Sequence, residues 1–250
     1  MPLSIEGHAG AHPTVLPPER FPHAVNLTLY LMRHGQTAPE TPWRYLGQRD
    51  VALSDEGRAQ ALRWRDMLSD VDFAGAWSSD LARCRETAAL VLEGRNLKAT
   101  SMAGLREISL GEWDGLGVED VKRLYPGHYE ARGADIAGFS PPGGESFADL
   151  SERAWNALEV VLDAARTGRA GHACGSGNPP AVEAGSNVLV VAHAGVNRVL
   201  MCRMLGIPLE NLFSLGQDHG CLNILRLGRG RPLVQALNLR SGRAFPAAIR

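Results

Sequence analysis

"LYLMRHGQT" at residues 29–37 runs four apolar residues straight into an arginine, a histidine and a glycine. Extended back to Leu27, the segment 27–32 reads as a buried strand. Either its end is an ordinary strand terminus, or the strand presents a reactive histidine to something anionic. A second segment repeats the arrangement. "NVLVVAH" at 187–193 is again an apolar strand over Val188–Ala192, ends in a histidine, and is followed closely by Gly195.

Outward from these two strands, the chain alternates strand and helix patterns. "LSDEGRAQALRWRDML" (53–68) reads as a helix, with Ser54 as N-cap and Asp55 and Glu56 at the positive end of its dipole. "FAGAW" (73–77) reads as a strand leading into a helix capped near Ser79 or Asp80 and stopped by Gly94. "KATS" (98–101) suits a short strand. From Phe147 the residues Leu150, Ala154, Leu158 and Val161 recur at helical spacing. "GVNRVLMCRML" (195–205) suits a further helix, and two closing strands flank a Gly-Arg-Gly turn. Apolar strands alternating with helices predict an α/β fold, with a mostly parallel sheet covered by helices on both faces. Ligands of such sheets sit outside the carboxyl ends of the strands, where His34 and His193 would both emerge.

One domain is expected over 27–240, preceded by a loose proline-rich arm (1–26) and followed by a tail (241–250). Residues 102–146, rich in glycine and proline with a single short helix near 118–125, suit an excursion over the sheet. Residues 168–186 suit a flexible loop. Composition narrows the function classes. The chain has 250 residues, 44% hydrophobic and 21% charged, with net charge −1. No basic excess exists to draw a nucleic acid or an anionic membrane. Cys84, Cys174, Cys202 and Cys221 form no CxxC pair and no zinc spacing. With no signal-peptide pattern and no membrane-length apolar run, a soluble cytoplasmic protein is expected.

A lone RHG is weak, since this composition yields one by chance in about one such chain in twelve. Its company carries the weight: "GQRDVALSDEGRAQA" (47–61), "SSDLARCRETA" (78–88), "LREISLGEWDG" (105–115), "PGGESFADL" (142–150) and "VVAHAGVNR" (190–198). Phosphoryl transfer needs positive charge around the phosphoryl oxygens, an in-line nucleophile and a proton for the leaving oxygen. Arg33, His34, Arg83 in the first turn of its helix, and His193 supply the charge and the imidazoles. The arginines would disfavour protonation of His34.

Taken together, these motifs resemble the histidine phosphatase superfamily, the phosphoglycerate-mutase-like fold, over roughly residues 27–240. The resemblance implies a three-layer α/β sandwich with a small helical lid and a phosphorylated histidine. On it, His34 is the nucleophile, Arg33, Arg83 and His193 hold the phosphoryl group, and Glu107 is the proton donor. It implies no metal and no other cofactor, and a small phosphate ester as the partner. The "GQRD" and "GEWDG" segments are most similar to small-molecule phosphatases, α-ribazole phosphatases among them. Cofactor-dependent mutases usually carry an arginine after the glutamate, where this chain has Ile108. A phosphatase is therefore expected ahead of a mutase, or of a non-catalytic protein that binds phosphoryl ligands. Much of the family has an asparagine six residues after the nucleophile, and this chain has Glu40. Gln36 or Gln48 could supply a neutral donor in its place.

Several residues stay open. Glu145 could border the pocket or serve only as a helix N-terminal carboxylate. Cys84 suits a small apolar filler near the pocket, Trp113 with Gly111 and Gly115 suits packing of the lid, and His219 has no assignable role.

Overall fold

The structure is a computed structural model and describes residues 26–38, 41–167, 186–228 and 230–242. The arm before residue 26, Glu40, Cys174 and almost all of the loop and tail expected at 168–186 and 241–250 lie outside the described residues. In chain order the elements are β1 (Leu27–Arg33), α1 (Asp55–Met67), β2 (Phe73–Ser79), α2 (Ala82–Val91) and β3 (Thr100–Met102). There follow α3 (Val118–Leu124), α4 (His128–Ala134), α5 (Phe147–Thr167), β4 (Ser186–Ala192), α6 (Ala194–Leu205), β5 (Leu222–Leu227) and β6 (Leu233–Leu239). Short 3-10 turns form at Ala103–Leu105, Gly111–Trp113 and Leu209–Ser214.

The six strands form one sheet in the order β3-β2-β4-β1-β5-β6. The pairs β3/β2, β2/β4 and β4/β1 are parallel, whereas β1/β5 and β5/β6 are antiparallel. Alternation along the central strands divides the core in two. Leu29, Leu31, Val188 and Val190 face the layer that contains the apolar stripe of α5 and α6. Tyr30, Met32, Leu189 and Val191 face Trp64 and Leu68 of the α1 region and Ala88 and Val91 of α2. Strands buried on both faces need apolar residues on both, which is why the buried stretches of β1 (Leu29–Met32) and β4 (Val188–Ala192) read as hydrophobic runs. The parallel register sets Arg33 opposite Ala192, so both strands finish at one level and release His34 and His193 side by side.

Ser54 caps α1 as expected, accepting from Gly57 N–H at 3.1 Å. The start of α2 differs from expectation. Its N-cap is Leu81, without a side-chain cap, and the free N–H of Ala82 donates instead to Asp50 Oδ1 at 2.7 Å. Asp80, expected as a cap, is drawn away by two hydrogen bonds from Arg106. Residues 103–146 contain a helix that the sequence pattern does not suggest. None of the residues of α4 is buried, so no apolar stripe marks it. Trp113, fully buried, packs this region, with ring centroids 5.8 Å from Tyr45 and 5.7 Å from Phe139.

Candidate active site

The pocket forms where β1 and β4 end and α2 and α6 begin. His34 follows β1 directly and its backbone is tied on both sides: its N–H donates to Ala192 O, and its carbonyl accepts from Gly220 N–H. Gly35 approaches α1 so closely that a Cβ there would stand 2.4 Å from Gly57 O, which accounts for a glycine after the histidine. Gly35 N–H donates to Thr87 Oγ1 at 3.0 Å, and that hydroxyl donates to Arg83 O at 2.7 Å. One buried threonine thus joins the end of β1 to the first turns of α2.

His34 is 3% exposed, and its Nδ1 lies 2.7 Å from Gly35 O. A carbonyl can only accept, so Nδ1 holds the proton and the lone pair is left on Nε2. Burial, reinforced by the charges of Arg33 and Arg83, holds this imidazole well below its ordinary 6.5. His34 is therefore a neutral imidazole with a free Nε2 at neutral pH.

His193 sits at the N-cap of α6, wholly buried, with its ring centroid 5.2 Å from that of His34. Burial, Arg83 and His34 hold it well below 6.5 too. Arg83 donates from Nε to His193 Nδ1 at 3.3 Å, from Nη1 to Arg49 O at 2.7 Å and from Nη2 to Gly47 O at 2.9 Å. Since an arginine only donates, it leaves the His193 proton on Nε2. The Cys84 sulfur lies 3.4 Å from that nitrogen, and burial pushes the thiol well above its ordinary range. A thiol so disposed is packing material. Cys202 and Cys221 are likewise buried and free.

Arg33 donates from Nη1 to Gln217 O at 2.5 Å and from Nη2 to His219 Nε2 at 2.8 Å. Its Nε is buried and has no hydrogen-bond partner among the described residues. Burial lowers both Arg33 and Arg83 from the ordinary arginine range, yet a guanidinium stays charged at neutral pH. The sequence alone assigns His219 no role, and the structure sets its ring centroid 5.8 Å from that of His34.

Glu107 completes the group. One carboxylate oxygen accepts from Ile108 N–H at 3.0 Å and the other from Gly195 N–H, in the first turn of α6, at 3.1 Å. The segment around Glu107 is held by a clamp. Arg153 of α5 makes a two-pronged pair with Glu145, at 2.7 Å on both prongs. It also donates to the carbonyls of Gly104 and Arg106 at 3.0 Å and of Glu107 at 3.2 Å. Glu145 in turn accepts from Ser109 N–H at 2.9 Å. Glu145 is thus engaged with the backbone of the Glu107 segment and with Arg153 of α5, and not with the start of its helix. Gln48 donates to Glu107 O at 3.0 Å, so its amide is already engaged, whereas Gln36 is held through its backbone, its N–H donating to Gln60 Oε1 and its carbonyl accepting from Ser54 N–H and Oγ–H.

All five residues singled out by sequence therefore meet at one sheet edge: Arg33, His34, Arg83, Glu107 and His193. The positive charges facing His34 are guanidinium groups. Among the described residues no cluster of three or more His, Cys, Asp or Glu could hold a metal ion. The profile of the histidine phosphatase superfamily, branch 1, matches residues 29–240.

The chain belongs to the histidine phosphatase superfamily. Its relatives in this family include the adenosylcobalamin/alpha-ribazole phosphatase of Salmonella typhimurium, 27% identical over 218 residues, 86% of this chain and 98% of the relative. The glucosyl-3-phosphoglycerate phosphatase of Mycolicibacterium vanbaalenii is 34% identical over 190 residues, 75% of this chain and 78% of the relative. Among solved structures, the alpha-ribazole phosphatase from Shigella flexneri superposes with a TM-score of 0.73 at 26% identity, covering 87% of this chain and 99% of that one. The six-stranded, mostly parallel sheet with helices on both faces is the α/β fold of these histidine phosphatases. Among the described residues no helix is long and apolar enough to cross a membrane.

Proposed function

We propose that this chain is a metal-independent phosphomonoesterase that acts on a small phosphorylated metabolite through a phosphohistidine. The observation that carries this reading is His34: a buried, neutral imidazole with its proton on Nδ1, its lone pair left on Nε2, and the charges of Arg33 and Arg83 acting on the ring. Nε2 attacks phosphorus and the P–O ester bond breaks, the departing oxygen taking a proton from Glu107. Water then attacks phosphorus, the P–N bond breaks, and Glu107 takes back the water's proton. Phosphate leaves and His34 is restored. The guanidinium groups of Arg33 and Arg83 neutralise the phosphoryl oxygens throughout, and His193 Nε2–H donates to one of them.

The relatives point the same way, since alpha-ribazole, glucosyl-3-phosphoglycerate and phosphoserine phosphatases are among them. A phosphoglycerate mutase is also a relative, at 29% identity. Ile108, where a cofactor-dependent mutase usually has arginine, favours hydrolysis.

Release of inorganic phosphate from a panel of esters by wild type and His34→Ala, with and without EDTA, tests the proposal. The panel holds α-ribazole phosphate, glucosyl-3-phosphoglycerate, 3-phosphoglycerate, phosphoserine and sugar phosphates, with a parallel assay for mutase product. Turnover by wild type alone, unchanged by EDTA, is expected. Activity that survives in His34→Ala, or that EDTA removes, would overturn the mechanism.

A further inference from the structure

Two imidazoles flank His34, and the sequence accounts for only one. The ring centroids of His193 and His219 stand 5.2 Å and 5.8 Å from that of His34. In each flanking ring an arginine decides where the proton sits. Arg83 occupies Nδ1 of His193, and Arg33 Nη2 occupies Nε2 of His219. A guanidinium has no lone pair to offer, so each neutral ring keeps its proton on the other nitrogen. For His219 that nitrogen is Nδ1, which no group among the described residues engages. His219 is also the outermost of the three rings, exposed where His34 and His193 are buried.

The turn that bears His219 is held firmly. Gly220 N–H donates to His34 O, directly beside the nucleophile. Asp218 is fixed by Asn238 Nδ2 at 2.8 Å and Arg240 Nε at 2.7 Å. Behind the turn, Gln217 shares hydrogen bonds with Asn197 and Asn223, both wholly buried, and Asn223 donates to Leu31 O in β1. An exposed imidazole beside His34 is thus mounted on the strand that bears the nucleophile.

Accordingly we propose that His219 is a further substrate-binding residue, its Nδ1–H donating to a phosphoryl oxygen on the solvent side while His193 serves the inner side. Arg33 joins the two functions, since the hydrogen bond that fixes the His219 tautomer comes from the arginine beside the nucleophile. The loss of proton affinity in His219, to about 4 through burial of its inner edge and the charge of Arg33, keeps the ring a neutral donor through the neutral range. This inference rests on the phosphatase reading for its catalytic meaning, but anion binding can be measured without turnover.

The test is the dissociation constant of inorganic phosphate, by calorimetry, for wild type, His219→Ala, His219→Phe and His219→Gln, alongside kcat and KM on the preferred ester. Phenylalanine keeps a ring of similar size without a donor, and glutamine offers a donor without the ring. Alanine and phenylalanine should weaken phosphate about tenfold, as expected for one hydrogen bond to an anion, and glutamine should recover much of the loss. Phosphate affinity within twofold of wild type in both alanine and phenylalanine variants overturns the inference. So does a fall in kcat with phosphate affinity intact, which would make His219 a positioning residue for Arg33. A wild type that binds phosphate but hydrolyses no ester would sink the phosphatase reading and leave the binding role of His219 to be decided by the variants.

Discussion

Replacing Arg153 by lysine separates the chemistry of Glu107 from the stability of the fold. Arg153 spends five hydrogen bonds on two tasks, gripping Glu145 and gathering the carbonyls of Gly104, Arg106 and Glu107. A lysine has a single nitrogen with three donors and cannot span that fork. At least two acceptors in this half-buried region lose their partner, so Arg153→Lys should cost about 2 kcal/mol of stability. The larger effect should fall on the reaction. Displacement of a general acid by about an ångström is worth on the order of a hundredfold in rate. The assay compares kcat/KM on an alkyl phosphate, whose leaving oxygen needs a proton, with p-nitrophenyl phosphate, whose leaving group departs as the anion. The alkyl ester should lose about a hundredfold and the nitrophenyl ester only a few-fold. Glu145→Gln should show the same bias, since it leaves Arg153 without its carboxylate. Circular dichroism at the assay temperature confirms that the variants are folded. An equal fall on both esters would refute the link from clamp to Glu107, as would unchanged rates in a destabilised protein.

Gly195→Ala should act on the same carboxylate by contact. A Cβ there would stand 2.3 Å from Glu107 Oε1, and the far end of a flexible side chain can move aside cheaply. Thermal stability should change by less than about 1 kcal/mol, while turnover of alkyl esters falls about a hundredfold; unchanged turnover would show that Glu107 does not need this perch. Stability should also depend on pH through His34 and His193, both held well below 6.5 in the folded chain. The unfolded chain binds their protons first as pH falls below about 6.5, so their contribution is full above that value and shrinks toward the lower folded pKa values. Urea unfolding between pH 7 and 5 should show losses approaching about 1.4 kcal/mol per pH unit for each histidine, with a gentler slope in His193→Asn. A profile equally flat in both proteins would count against two buried neutral imidazoles.

Much of the site could be read from sequence because it lies at the ends of elements with strong patterns. His34 and His193 follow two strands with apolar cores, and Arg83 lies in the first turn of the helix that follows a third. His219 could not be found this way. It lies in the loop before β5, and its place depends on β5 running antiparallel to β1, so that Leu222 pairs with Met32 and the start of one strand abuts the end of the other. Nothing local in "GQDHGCLN" fixes that pairing, although two closing strands were visible. The role of Arg153 was hidden for a related reason. On α5 it reads as an ordinary helix charge, and its partners are carbonyls more than forty residues away. The cap of α2 failed locally as well, because Asp50 reached the free N–H while Arg106 held Asp80.

Arg83 carries a consequence for how such a protein can change. Its guanidinium ties residues 47–49 to α2 and to the start of α6, three stretches far apart in the chain. The loop it ties down carries Gln48, which holds the backbone of Glu107. The proposed phosphate end of the pocket is therefore no module: no fragment of the chain owns it, and no single loop can be exchanged without disturbing the others. Variation that leaves this tie intact falls to exposed residues outside it, such as Trp43, which stands 62% exposed. A lineage built on this plan would diverge in what it grips beyond the phosphate while keeping the grip on the phosphate itself.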